Sequence, residues 1–215
     1  MNSLGMRSAR YFLVRAVKYL GVVIGVGLFL VAEMFVLNIG EPEQMEVALN
    51  WLISGPIFMA SIMNVAYSLY SVSWTDSVVL SMGARRKDIF IGDIIQTIVI
   101  LGGAWLFVTI AAIITNQSAM IGFNSIFFAL GFPFGALATV VAPKLQKLGR
   151  VVMFVFVFVA AILGGIAGGM TAYEGAGFFN WFAGLSAITI TGAALIIYLL
   201  LEVYIYRLNK TSMVH

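Results

Sequence analysis

The chain has 215 residues, of which 62% are hydrophobic and 10% charged, and its mean hydropathy of +1.05 excludes a water-soluble domain. A net charge of +3 and a pI near 9.3 do not signal nucleic-acid binding, because the basic residues sit where membrane topology places them. Zero cysteines exclude disulfides and thiolate metal sites, and the single histidine, His215, is the last residue, which argues against histidine-based catalysis.

All twelve Lys and Arg residues fall into four clusters: Arg7, Arg10, Arg15 and Lys18; Arg85, Arg86 and Lys87; Lys144, Lys147 and Arg150; Arg207 and Lys210. The intervening segments 38–50, 116–121 and 173–180 carry no basic residue but include Glu41, Glu43, Glu46 and Glu174. Loops rich in Lys and Arg stay inside, so the pattern predicts six spans in a cell membrane with both termini cytoplasmic. Six helices of about 20 residues each consume over half of the chain and leave no room for a separate globular domain. The expected fold is an all-α polytopic membrane protein: an interfacial helix over 1–18, then a six-span transmembrane domain over 19–215.

In chain order, the first eighteen residues at about 100° per residue place Arg10, Arg7, Lys18 and Arg15 within an arc of about 140°, with Phe12, Ala16, Leu13, Met6 and Val17 opposite. That is the pattern of an amphipathic helix lying on the inner leaflet. It leads into span one, Tyr19 to Val36. A signal peptide is rejected because the apolar run is long and no Ala-x-Ala cleavage pattern follows. Span two, Trp51 to Ser71, contains Pro56 after Gly55 and should kink near its outer end. After the polar stretch Val72 to Asp93 comes span three, Ile94 to Thr115. Span four, Gly122 to Ala142, is expected to be interrupted by Gly131, Pro133 and Gly135 and to end at Pro143; broken membrane helices often border a cavity. Span five runs from Val151 to Ala172, and span six from Trp181 to Tyr206. Trp51, Trp74 and Trp181 lie near span ends as interfacial aromatics should, whereas Trp105 is near the middle of span three.

Polar residues within spans are costly and need partners. Asp93 and Glu202 lie near inner ends, where Lys18, Arg15 or Arg207 could pair with them. Asn64 and Gln96 suit interhelical hydrogen bonds. Glu33, in the outer part of span one, either reaches the outer interface or serves a gate or a cationic substrate group. The rest is apolar, with Phe127, Phe128, Phe132, Phe154, Phe156 and Phe158 and several Met residues. An ion pore would need a polar constriction that these spans barely supply. An apolar path suits a lipid or an amphipathic peptide, although the same residues also serve core packing and lipid contact.

Residues 76–90 carry the main functional signal. Asp76 can cap a short helix starting at Ser77, whose apolar side is Val78, Val79 and Met82, before Gly83 breaks it. Gly83 to Asp88 should then turn the chain back, and Ile89, Phe90 and Ile91 re-enter the interface. Arg85, Arg86 and Lys87 are either a topology anchor on an interfacial linker or the flank of a projecting helix that docks into a groove on a soluble partner.

The run Leu80-Ser81-Met82-Gly83-Ala84-Arg85-Arg86-Lys87-Asp88-Ile89-Phe90-Ile91-Gly92 resembles the stretch between spans two and three in the membrane permeases of type 2 ABC exporters: a small-residue turn, a basic pair, then a hydrophobic or aromatic run. The six-span layout and the basic N-terminal helix agree with that family. The resemblance implies a coupling helix that contacts an ATP-binding subunit, with Asp76, Val79, Met82, Gly83, Arg85, Arg86 and Lys87 as the coupling residues. It also implies two permease subunits, identical or paralogous, joined through spans one and five. Those spans offer Gly21-x-x-x-Gly25, Gly164-x-x-x-Gly168 and Gly165-x-x-x-Gly169, which permit close helix approach between chains or within one.

No Gly-x-x-x-x-Gly-Lys-Ser/Thr phosphate loop occurs in the chain, so ATP and Mg would belong to a separate partner subunit. No Ser/His pair, paired intramembrane Asp motif or His/Glu metal cluster is visible, so no catalytic or cofactor-binding residue is assigned. The expected function is export of amphipathic peptide or lipid-like cargo, with Glu33, Trp105 and Pro133 as candidates for gate or cavity. Two alternatives stay open: a substrate-binding membrane subunit of an importer, and an ATP-independent channel.

Overall fold

The computed structural model describes residues 3–37, 42–71, 80, 85–117, 119–145 and 187–211. Every element among them is a helix: α1 (Ser3–Leu37), α2 (Pro42–Tyr70), α3 (Arg86–Ile114), α4 (Ala119–Leu145) and α5 (Ala187–Thr211). Each contains a stretch long and apolar enough to cross a bilayer, namely Ser8–Leu37, Leu52–Tyr70, Lys87–Ile114, Met120–Ala142 and Thr189–Arg207. These five correspond to the expected spans one to four and six. The described residues are therefore all-helical in their regular structure, with several helices of membrane-spanning character. Span five lies outside the described residues, as do Gly164, Gly165, Gly168 and Gly169.

Three boundaries differ from the sequence-based expectation. The amphipathic segment and span one form a single 35-residue helix, with no break near Lys18. Nothing between Ser3 and Leu37 stops it, since the segment holds no proline and its apolar side continues into the span. The helix that holds span three begins at Arg86, eight residues before the expected span start at Ile94, so Arg86 and Lys87 sit in the first turn of α3 and not in a turn of the linker. Span four is not interrupted: α4 runs unbroken from Ala119 to Leu145, through Pro133 and past Pro143.

The reason for the third difference is visible in the packing of α4 on α2. Ser61 Oγ donates to the Phe127 carbonyl at 3.4 Å, and Asn64 Nδ2 to the Gly131 carbonyl at 3.1 Å. These acceptors are one turn apart on the α2-facing side of α4, before and after Ala129, whose carbonyl is the one that Pro133 leaves without a helical N–H, so α2 holds α4 straight across that point. Asn124 Nδ2 returns the favour, donating to the Ile53 carbonyl at 3.0 Å. Gly131 and Gly135 make room for neighbouring helices: a Cβ on Gly131 would meet Leu101 of α3 at 2.8 Å and Ser61 Oγ of α2 at 3.0 Å, and one on Gly135 would overlap the Asn64 amide of α2. The Gly-Pro-Gly pattern thus serves close packing.

Asn64 is fully buried and also accepts from Thr97 Oγ1 of α3 at 3.1 Å, so one amide ties three helices. An interhelical hydrogen bond in a membrane is worth about 0.6 kcal/mol on average and up to about 2. Asn64→Leu is expected to destabilise the bundle by about 1–2 kcal/mol, measurable by denaturant titration of the purified chain. An unchanged midpoint would remove Asn64 from that role.

Contacts along the helices fix their directions. Phe12 lies over Gly92 and Leu20 over Gly103, so α1 and α3 are parallel. Ile53, Ser61 and Asn64 meet Asn124, Phe127 and Gly131 in the same order, so α2 and α4 are parallel. Gly27 of α1 faces Pro56 of α2, while Tyr19 faces Tyr67, so α1 and α2 are antiparallel. Phe132 of α4 meets Tyr198, and Phe90 at the start of α3 meets Tyr206, so α5 is antiparallel to α3. Between α3 and α4 the turn is short, with Asn116 at φ 58°, a conformation that asparagine tolerates better than most residues. The described basic residues Arg10, Arg15, Lys18, Arg85, Lys87 and Arg207, and the position of Lys144, therefore share one end of the bundle. Glu33 and the positions of Glu43 and Glu46 are at the other. Between the ends lies an apolar core built on Ile57, Ile100, Leu101, Ala104, Val108 and Phe132.

Candidate functional site

The first turns of α3 stand at the basic end. Arg85 has extended backbone (φ −85°, ψ 155°), and its N–H donates to Asp88 Oδ2 at 3.0 Å. The Arg85 carbonyl in turn accepts from the N–H groups of Asp88 and Ile89 at 2.8 and 3.2 Å. Asp88 also supplies negative charge where the helix dipole is positive, offsetting Arg86 and Lys87 in the same turn. Arg85 and Lys87 are exposed.

One turn further, α3 is keyed into two neighbours. Ile89 is buried against Phe12 of α1, and Gly92 leaves the space that the Phe12 ring fills. On another side, Phe90 packs on Tyr206 of α5 with ring centroids 5.5 Å apart. A displacement of the exposed Arg85–Lys87 tip would thus be carried into α1 and α5 together.

Beneath that tip lies a polar cluster. Arg15 Nε and Nη2 donate to Tyr19 Oη at 3.1 and 3.0 Å, and the guanidinium stands 4.9 Å from the centre of the Tyr67 ring. Tyr67 Oη donates to Asp93 Oδ1 at 3.4 Å. Tyr198 of α5 is within electrostatic reach of both Asp93 and Glu202, the latter one turn along its own helix. Gln96, one turn above Asp93, is fully buried, and neither its amide oxygen nor its amide nitrogen has a partner among the described residues. Arg15, Tyr19, Tyr67, Asp93, Gln96, Tyr198 and Glu202 thus bring four helices into one charged and aromatic region.

Asn64 makes the interhelical bonds expected of it, whereas Gln96 makes none among the described residues. Asp93 was expected to pair with a basic side chain, and a phenol is one of its partners. Trp105 ties α3 to α4: Nε1 donates to Ser125 Oγ at 3.1 Å, and the ring packs on Phe128 with centroids 5.5 Å apart. Pro133 is buried, on the side of α4 opposite the α2-facing Phe127, Gly131 and Gly135, and Glu33 is exposed one turn before the end of α1. Gly21 and Gly25 are exposed on α1, with no described side chain within 4 Å of a Cβ built on either. Asp76, Val79, Met82 and Gly83 lie outside the described residues.

Tyr19, Tyr67 and Tyr198 were not singled out by the sequence. A partial signal exists, since Tyr67 follows Asn64 by three residues and so shares its helix face. Nothing in linear order pairs Tyr67 with Asp93, or Arg15 with Tyr67. No family model, curated protein or solved structure matches the chain.

Proposed function

We propose that the chain is the membrane subunit of an ATP-driven exporter, resident in the cell membrane with cytoplasmic termini, and that it pairs with a second permease subunit and a separate ATP-binding subunit. The observation that carries this reading is the pair of exposed cations Arg85 and Lys87 at the start of α3, one turn before Ile89 and Phe90, which pack on Phe12 of α1 and Tyr206 of α5. A tip of this kind is a docking point whose movement reaches two spans. ATP and Mg on the partner subunit would supply the energy, and this chain would supply the lever and the path. Residues Asp76, Val79, Met82 and Gly83 complete the coupling segment in this reading.

Cargo of amphipathic peptide or lipid-like character fits the apolar aromatic run Phe123, Phe127, Phe128 and Phe132 along α4, and fits the scarcity of charge within the spans. Trp105, Pro133 and Glu33 are the gate or cavity candidates. The second permease would seat on the face of α1 that holds Gly21 and Gly25.

The direct test is co-purification of a tagged chain with an ATP-binding subunit from the same membranes. In the purified complex, Arg85→Glu with Lys87→Glu should lower cargo-stimulated ATPase activity and export by about tenfold or more, because like charges now oppose the docking surface. Full activity with the double variant would disprove the coupling role.

A second reading draws on one observation. Asp93, Glu202, Tyr67, Tyr198 and the unpartnered Gln96 amide converge near the basic end, and convergent polar groups are what a small-ligand capture subunit requires. Retention of a stoichiometric small molecule through purification, lost in Gln96→Leu, would favour it over the exporter.

A further inference from the structure

We infer that α1 carries a binding site for the phosphodiester headgroup of an anionic phospholipid, formed by Arg10, Tyr11, Val14, Arg15 and Lys18. These residues line a depression of about 500 Å³ on the surface of the bundle. That volume falls in the range of small-molecule sites, roughly 300–1,000 Å³.

The site follows from helix register. At about 100° per residue the five side chains fall within an arc of about 140°, on the side of α1 turned away from the buried Phe12 and Ala16. From Arg10 to Lys18 the helix rises about 12 Å. Its lining combines three basic residues with the aromatic Tyr11 and the apolar Val14. Such a surface is complementary to a molecule that is anionic and amphipathic at once, and less so to a fully hydrated anion.

Depth in the membrane selects a lipid over a soluble phosphate. The apolar remainder of α1 from Tyr19 to Leu37 rises about 28 Å, close to the thickness of the hydrocarbon core. Lys18 and Arg15 then sit at the level of the lipid phosphates, with Arg10 and Tyr11 further out among the headgroups. Just below, Val22 is exposed at 54% and offers a surface to acyl chains. Arg15 is held by Tyr19 and the Tyr67 ring, so its charge is pre-positioned beside the depression. A lipid bound there would rest against the residue that joins α1 to the polar cluster, which links membrane composition to the packing of α1, α2 and α3. This inference does not depend on the exporter reading.

The test uses the full chain, purified in detergent, and native mass spectrometry with phosphatidylglycerol or phosphatidylcholine added in equal amounts. Retention of phosphatidylglycerol should exceed that of phosphatidylcholine by about tenfold, and R10Q with K18Q should remove most of the preference, each charge contributing about fivefold. R207Q, an exposed charge at the same end of the bundle but outside the depression, should leave the preference intact, as should R10K with K18R. Equal retention of the two lipids by the unaltered chain would overturn the site, and that arm needs no variant to fold. So would an undiminished preference in R10Q with K18Q, or an equal loss in R207Q, which would reduce the effect to net charge. Displacement of the lipid by millimolar inorganic phosphate would overturn the lipid assignment in favour of a free-anion site.

Discussion

Gly92→Val should separate the basic half of α1 from α3. Any Cβ at this position overlaps the Phe12 ring, which is fully buried and hemmed in by Ile89 and by the edge of Tyr11, with centroids 5.7 Å apart. The ring cannot yield without leaving its pocket. Gly103 is a useful contrast, because a Cβ there meets the Leu20 side chain, closest at a terminal methyl that can rotate and next at Cδ1 and Cγ, 3.2 and 3.3 Å away. Overpacking a tight contact costs about 1–3 kcal/mol, so Gly92→Val should fall near the top of that range and Gly103→Ala near zero. Phe12→Ala is destabilising alone, but in the double variant with Gly92→Val the two costs should not add, because removing the ring removes the clash. A coupling of about 1 kcal/mol or more in the double-mutant cycle would confirm the contact. Strict additivity in denaturant titrations would mean that Phe12 and Gly92 do not touch. Under the proposed exporter function, Gly92→Val should also cut export more than it cuts protein abundance.

How much of this was legible in the sequence depended on the length scale of the signal. Five of the expected spans were legible as long apolar helices because hydropathy is a one-dimensional property, visible in the sequence whatever the helix packs against. The gathering of the basic residues at one end follows from the same logic, and the directions of α1 to α5 agree with it. Breaks were legible only as chemistry and not as outcome. Gly131, Pro133 and Gly135 weaken a helix in isolation, but Ser61 and Asn64 bind α4 to α2 at the Phe127 and Gly131 carbonyls, and that packing is a contact across more than sixty positions of sequence. Arg86 and Lys87 misled for a related reason. A cationic first turn opposes the helix dipole, and what permits it is Asp88 closing back on the Arg85 N–H. The polar cluster was least legible, since Arg15, Tyr67, Asp93 and Tyr198 come from four helices and only the bundle brings them together.

Gly21 and Gly25 should prove indispensable for association between chains and dispensable within one. Gly-x-x-x-Gly pairs mark close helix approach, and the approach can be internal or external. Gly131 and Gly135 are the internal kind, pressed against Leu101, Ser61 and Asn64. Gly21 and Gly25 face no described side chain within 4 Å, and their neighbours on the same side of α1, Val22, Val26 and Phe29, are exposed at 54%, 43% and 68%. Adding a side chain at an open helical position removes the conformational cost of glycine, about 0.5–1 kcal/mol per site, so the isolated chain should be as stable or slightly more stable. The same side chains on a packed interface would hold the two helices apart. The double variant Gly21→Ile with Gly25→Ile is therefore expected to keep the denaturation midpoint of the monomer while abolishing dimers in crosslinking and in analytical ultracentrifugation in detergent. If the midpoint falls by the cost of a packed-core clash, about 1–3 kcal/mol, these glycines support contacts within one chain. A stable variant that still dimerises would move the partner to another face of the bundle.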